Sequence, residues 1–139
     1  MNDLGKTQSD YAVYLPAISS FYTKQLQKCL DNPEEWRTIE GFEKGLAGLD
    51  FLKQDSYFHY PFGLYSAGHA ELDINKDAPK EDMVRDRDRK NSWLLGDSGG
   101  FQIGKGVWEG DWKDPNCPKA QKKREQVLAW MDAYMDYGM

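Results

Sequence analysis

Apolar residues come in short runs separated by glycine, proline and charge, and their spacing predicts strands alternating with helices. Tyr11-Ala12-Val13-Tyr14-Leu15 is a β-prone run stopped by Pro16. Ile18, Phe21, Tyr22, Gln25, Leu26, Cys29 and Leu30 then recur at helical spacing. Asp31-Asn32-Pro33-Glu34-Glu35 reads as a second helix start, with Asn32 to cap it and Pro33 in its first turn. The stripe Ile39, Phe42, Leu46, Leu49, Leu52 continues it, with Gly41, Gly45 and Gly48 against one unbroken helix. Gly63-Leu64-Tyr65-Ser66 predicts a strand. Lys76 to Lys90 is almost wholly charged and predicts a solvated loop or short surface helix. Ser92-Trp93-Leu94-Leu95, bounded by Asn91 and Gly96, suits a strand buried on both faces. Gly104 to Cys117 reads as a loop rich in glycine and tryptophan. Lys119 to Tyr137 predicts an amphipathic helix with Val127, Trp130, Met131, Tyr134 and Met135 on its apolar side and Gly138 as its stop. Asp132 and Asp136 fall on its solvated side.

This alternation predicts an α/β fold built on a parallel sheet. Residues 1–10 read as a polar, flexible arm and 11–139 as one domain, with no internal repeat and no linker. The 139 residues, 40% apolar and 14% aromatic, suffice for one domain with a core, and the aromatic share argues against disorder. No apolar run approaches the roughly 20 residues that span a bilayer. Met1 to Asp10 has no apolar core of a signal peptide, so the expectation is a cytoplasmic protein, in a cell or in an infected host. Cys29 and Cys117 stand in no metal-binding spacing and read as two reduced thiols. A net charge of −5 argues against a dedicated nucleic-acid-binding module, but not against an enzyme that grips a polynucleotide through a local patch.

The chemistry concentrates where the Trp93-Leu94-Leu95 strand runs into Gly96-Asp97-Ser98-Gly99-Gly100-Phe101-Gln102. Asp97 would stand at the C-terminal end of a strand, where α/β barrels keep their catalytic groups. Gly99 and Gly100 allow a sharp turn and a close approach of backbone to a flat ligand. Phe101 offers a stacking face, and Ser98 and Gln102 add hydrogen-bonding groups. Asp-Ser-Gly-Gly is also common turn chemistry, and residue types alone favour an ordinary turn over a pocket for a planar heterocycle.

The string Asp97-Ser98-Gly99-Gly100-Phe101-Gln102 after an apolar strand resembles the signature of the tRNA-guanine transglycosylase superfamily. Tyr65-Ser66-Ala67-Gly68-His69 is loosely similar to the segment of that family that carries a histidine near the substrate ribose. Trp108-Glu109-Gly110-Asp111-Trp112 and the opening Tyr14-Leu15-Pro16-Ala17-Ile18-Ser19 look more like the phage and bacterial branch that places 7-deazaguanines in DNA.

The resemblance implies the N-terminal portion of a (β/α)8 TIM barrel, incomplete at this length, since a whole barrel takes about 250 residues. It implies exchange of guanine in DNA for a 7-deazaguanine such as preQ0 through a covalent glycosyl–enzyme intermediate. Asp97 would be the catalytic acid/base. Ser98, Gly99, Gly100, Phe101, Gln102 and His69 would bind the substrate base. The nucleophilic aspartate and the zinc site of longer members belong to later segments, so no cofactor is expected here and the isolated chain is expected to be inactive. The remainder of the barrel or a second subunit would complete it, and exposed strand edges would favour self-association. Two alternatives stay open. One is the same chemistry on tRNA, with queuine or preQ1, and the other is a non-catalytic binding module of the same fold.

Overall fold

The computed structural model describes residues 12–31, 40–41 and 43–139. The expected arm over 1–10, the residue Tyr11 and the second helix start over 32–35 lie outside them. The elements are helix α1 (Ser20–Asp31), strand β1 (Phe62–Ser66), helix α2 (Asp82–Arg85), strand β2 (Trp93–Asp97), helix α3 (Gly100–Gly104), helix α4 (Pro118–Tyr134) and strand β3 (Tyr137–Gly138). Two 3-10 turns, Gly45–Leu49 and Pro79–Glu81, precede β1 and α2.

The protein is a mixed α/β fold whose three strands are parallel and lie in chain order. Phe62 pairs with Trp93 and Ser66 with Asp97, so β1 and β2 end level. Leu95 pairs with Tyr137 and Gly96 with Gly138. A fourth parallel segment borders β1 through a bridge between Ala17 and Leu64. Pro16 O accepts from Leu64 N at 2.9 Å, and Ile18 N donates to Leu64 O at 2.8 Å. The pairing thus falls just past the predicted run over Tyr11–Leu15. Pro16 takes part because only its carbonyl is needed, so its missing N–H costs nothing.

Ser19 Oγ accepts from Tyr22 N at 3.1 Å and caps α1, which agrees with the predicted periodicity. Tyr65, Leu94 and Trp130 are fully buried, and Tyr65 and Trp130 rings lie 6.2 Å apart. A Cβ at Gly96 would sit 3.3 Å from Trp130 Cζ3 and 3.4 Å from Met131 Cγ, which places α4 against this face of the sheet. Leu26 of α1 and Met83 and Val84 of α2 join the same cluster. Removing the Trp130 side chain is expected to cost about 3–5 kcal/mol. The opposite face carries a run of rings, with Tyr60 near Phe62, Phe62 near Trp93, and Trp93 stacked on Tyr137. Burial of β2 accordingly alternates, with Leu94 and Gly96 buried and Trp93, Leu95 and Asp97 half-buried, where the sequence predicted burial on both faces.

Three predictions need correction. Lys76–Lys90 is not simply solvated, because Glu81, Met83, Val84 and Arg87 are buried. Glu81 Oε1 accepts from Tyr65 OH at 3.0 Å and from Glu71 N at 2.9 Å, with Arg85 Nε 3.5 Å from Oε2. The C-terminal helix ends at Tyr134, and Gly138 is a strand residue instead of a helix stop. Asp136 is not a solvated helix charge either. Its carboxylate is 1% exposed and takes Arg87 Nη2 at 2.7 Å, Arg89 Nη2 at 3.2 Å and Leu94 N at 2.8 Å. The same arginines donate to the carbonyls of Ala133, Tyr134 and Met135, satisfying the helix end while the chain turns into β3. Asp132 is exposed as expected. No helix of the described residues is long and apolar enough to cross a membrane.

Candidate functional site

The strand register brings the Asp97 carboxylate to the end of β2 beside the last residue of β1. Ser66 and Asp97 are paired residues, so their side chains project from the same face. Ser66 Oγ donates to Asp97 Oδ2 at 2.9 Å, and Gly99 N donates to the same oxygen at 3.3 Å. Asp97 O accepts from Ala67 N at 2.8 Å, which ties the loops after β1 and β2 together. Ser66 Oγ also accepts from Gly68 N at 3.1 Å, which orients the hydroxyl proton toward Asp97. Asp97 is half-buried, and among the described residues it enters no ion pair. A carboxylate held by neutral donors keeps its second oxygen, Oδ1, for another donor.

The glycines of the signature act differently. Gly99 is buried with φ of +81°, the left-handed region that glycine enters without strain. A Cβ there would run into the Trp108 indole, so the loop after α3 folds back over Gly99. Gly100 opens α3 on an open side. Gln102 lies against Gly68, where any Cβ would collide with its amide group, and Gln102 Oε1 is buried without a hydrogen-bond partner among the described residues. Phe101 is 69% exposed, with Lys105 Nζ 5.6 Å from its ring centroid. His69 is exposed on the turn after β1, and its N–H donates to Ser66 O at 3.0 Å.

The structure thus brings Asp97, Gly99 and Gln102 together with Ser66 and Gly68 at the C-terminal ends of two parallel strands. His69 stands at the same end. Ser98 is exposed and instead lines a cleft of about 1020 Å³ between α4 and β3, which Asp97, Phe101 and His69 do not line. The sequence reading assigned Ser66 no role. The signal was available only as a serine at the predicted end of a neighbouring strand. Trp108 drew notice as part of a resemblance, without its seat on Gly99. Among the described residues no group of three or more His, Cys, Asp or Glu could hold a metal ion.

Comparison with family models, with curated proteins and with solved structures returns no match to this chain.

Proposed function

We propose that this chain carries the base-recognition part of a base-exchange transglycosylase, with DNA as the polynucleotide and a 7-deazaguanine such as preQ0 as the incoming base. The observation that carries the reading is the Asp97 carboxylate at the C-terminal end of a parallel strand, gripped by Ser66 Oγ and Gly99 N and free of any cationic partner among the described residues. Parallel strands adjacent in chain order, with α1, α2 and α4 packed on one face, also support the N-terminal portion of a (β/α)8 barrel. Such barrels carry catalytic groups at this end, whereas doubly wound sheets carry helices on both faces.

In this reading Asp97 gives a proton to the departing guanine and takes one from the incoming base. Phe101 offers its exposed ring to the heterocycle. Gly100, Gln102 and His69 shape the surroundings of the base. The nucleophile that attacks the ribose comes from a further segment or subunit, and the target nucleotide leaves its stack to reach the site. The test follows labelled 7-deazaguanine into DNA, with tRNA in parallel, in a protein that joins these residues to the nucleophile-bearing strand. Asp97→Asn keeps the shape and is expected to lose about 10²–10⁴-fold in rate, the usual worth of general acid–base assistance. Undiminished incorporation would remove the catalytic role. Incorporation into tRNA alone would move the protein to the tRNA branch, and none into either would favour a binding module.

A further inference from the structure

Resting on that reading of the Asp97 site, we propose that the groove between the 107–112 loop and the first two turns of α4 binds the single-stranded backbone next to the target nucleotide. Lys122 and Lys123 would meet phosphates, and Trp108 would offer a platform to a neighbouring base. The groove encloses about 390 Å³ and is lined by Val107, Trp108, Glu109, Lys122 and Lys123, among others. Lys123 Nζ lies 5.3 Å from the Trp108 ring centroid, and Trp112 lies 6.3 Å beyond with Arg124 Cζ 5.2 Å from its own ring. Alternating rings and cations are what a flexible polyanion with flat bases requires, because stacking tolerates any base while cations follow the phosphates.

Charge supports the choice of partner. Residues 105–124 hold six Lys or Arg and three Asp or Glu, although the whole chain has 18 and 23. Glu109 takes up Lys119 at 3.0 Å. Among the described residues Lys122 and Lys123 enter no ion pair. Position supports it too. Trp108 covers Gly99, two residues from Asp97, so a strand whose target base enters at Asp97 passes over Trp108 before it reaches α4.

The experiment measures fluorescence anisotropy of a labelled single-stranded DNA of about 16 nucleotides, titrated with the full chain between about 50 and 200 mM salt. Lys122→Glu with Lys123→Glu is expected to weaken binding at least about tenfold and to reduce the salt slope by about 1.4, two single-strand phosphate contacts' worth. The neutral pair Lys122→Gln with Lys123→Gln, which removes the charges and keeps polar side chains, is expected to lose affinity in the same direction, so a failure of the charge reversal to fold does not end the test. Salt-independent binding, equal affinity of the neutral pair and the wild type, or binding to acidic phospholipid vesicles in place of DNA would overturn the proposal. Oligonucleotide binding that depends on these lysines, without binding of a 7-deazaguanine, would support the surface and remove the base-exchange reading. The converse result would remove the surface alone.

Discussion

Asp97 and Asp136 both attach to strand β2, and the protein treats them in opposite ways. Asp136 reaches back to Leu94 N and is closed in by Arg87 and Arg89, with 1% of its side chain exposed. Asp97, at the other end of the strand, is half-buried and, among the described residues, meets a hydroxyl and an amide N–H. Burial pushes the Arg87 guanidinium down to about 10, still far above neutrality, so Arg87 is a cation at pH 7. Asp136 is thus held between two guanidiniums, whereas Asp97 is held by neutral donors. One aspartate fastens α4 and β3 to the sheet, and the other is the one proposed to serve the chemistry.

The largest effect expected from that contrast is on stability. Asp136→Ala strands Arg87 in the interior and should cost about 3–5 kcal/mol in chemical denaturation. Asp97→Ala should cost about 1 kcal/mol or less, as most partly exposed polar truncations do. Equal losses at the two positions would erase the distinction. A smaller effect separates the two glycines beside Asp97. Gly99→Ala meets both the left-handed backbone and the Trp108 ring, and is expected to destabilise by about 1–3 kcal/mol. Gly100→Ala, in open space at the start of α3, should be neutral or slightly stabilising in the same thermal melts.

The smallest effect concerns Glu81, whose carboxyl burial pushes above its ordinary value of 4.5. A carboxyl raised by folding contributes most when protonated. Its contribution is complete below about 4.5 and is lost as pH rises through the raised value. Glu81→Gln stays neutral, so the stability of the variant relative to the wild type should improve between about pH 4 and 7. The slope of that difference is the readout. A flat difference would mean that Tyr65, Arg85 and Glu71 N already compensate the buried charge.

The sequence was most informative where a pattern is local. Helix α1, strands β1 and β2 and helix α4 follow from spacing within a few residues, and Asp97 stands at a strand end because an apolar run precedes it. It failed where partners are remote. Arg87 and Asp136 are 49 residues apart, and nothing in a charged run such as Lys76–Lys90 distinguishes the arginine that turns inward from those that stay in water. Strand β3 went unread for the same reason. Its two residues follow an amphipathic helix without a break in polarity, and pairing with Leu95 and Gly96, more than propensity, makes them a strand. Ser66 was invisible as a partner of Asp97 until the register of β1 on β2 was known.

The central claim is that Asp97 contacts the base, and calorimetric titration of a free 7-deazaguanine into the chain tests it most directly. Saturable binding by the wild type is expected. Asp97→Asn should weaken it about 10–100-fold, the worth of a hydrogen bond to a charged group, while its melting temperature stays near that of the wild type. Asp136→Asn should do the reverse, lowering the melting temperature and leaving the affinity of the folded protein unchanged. Base binding that is indifferent to Asp97→Asn, or no binding by the folded wild type, would contradict the account.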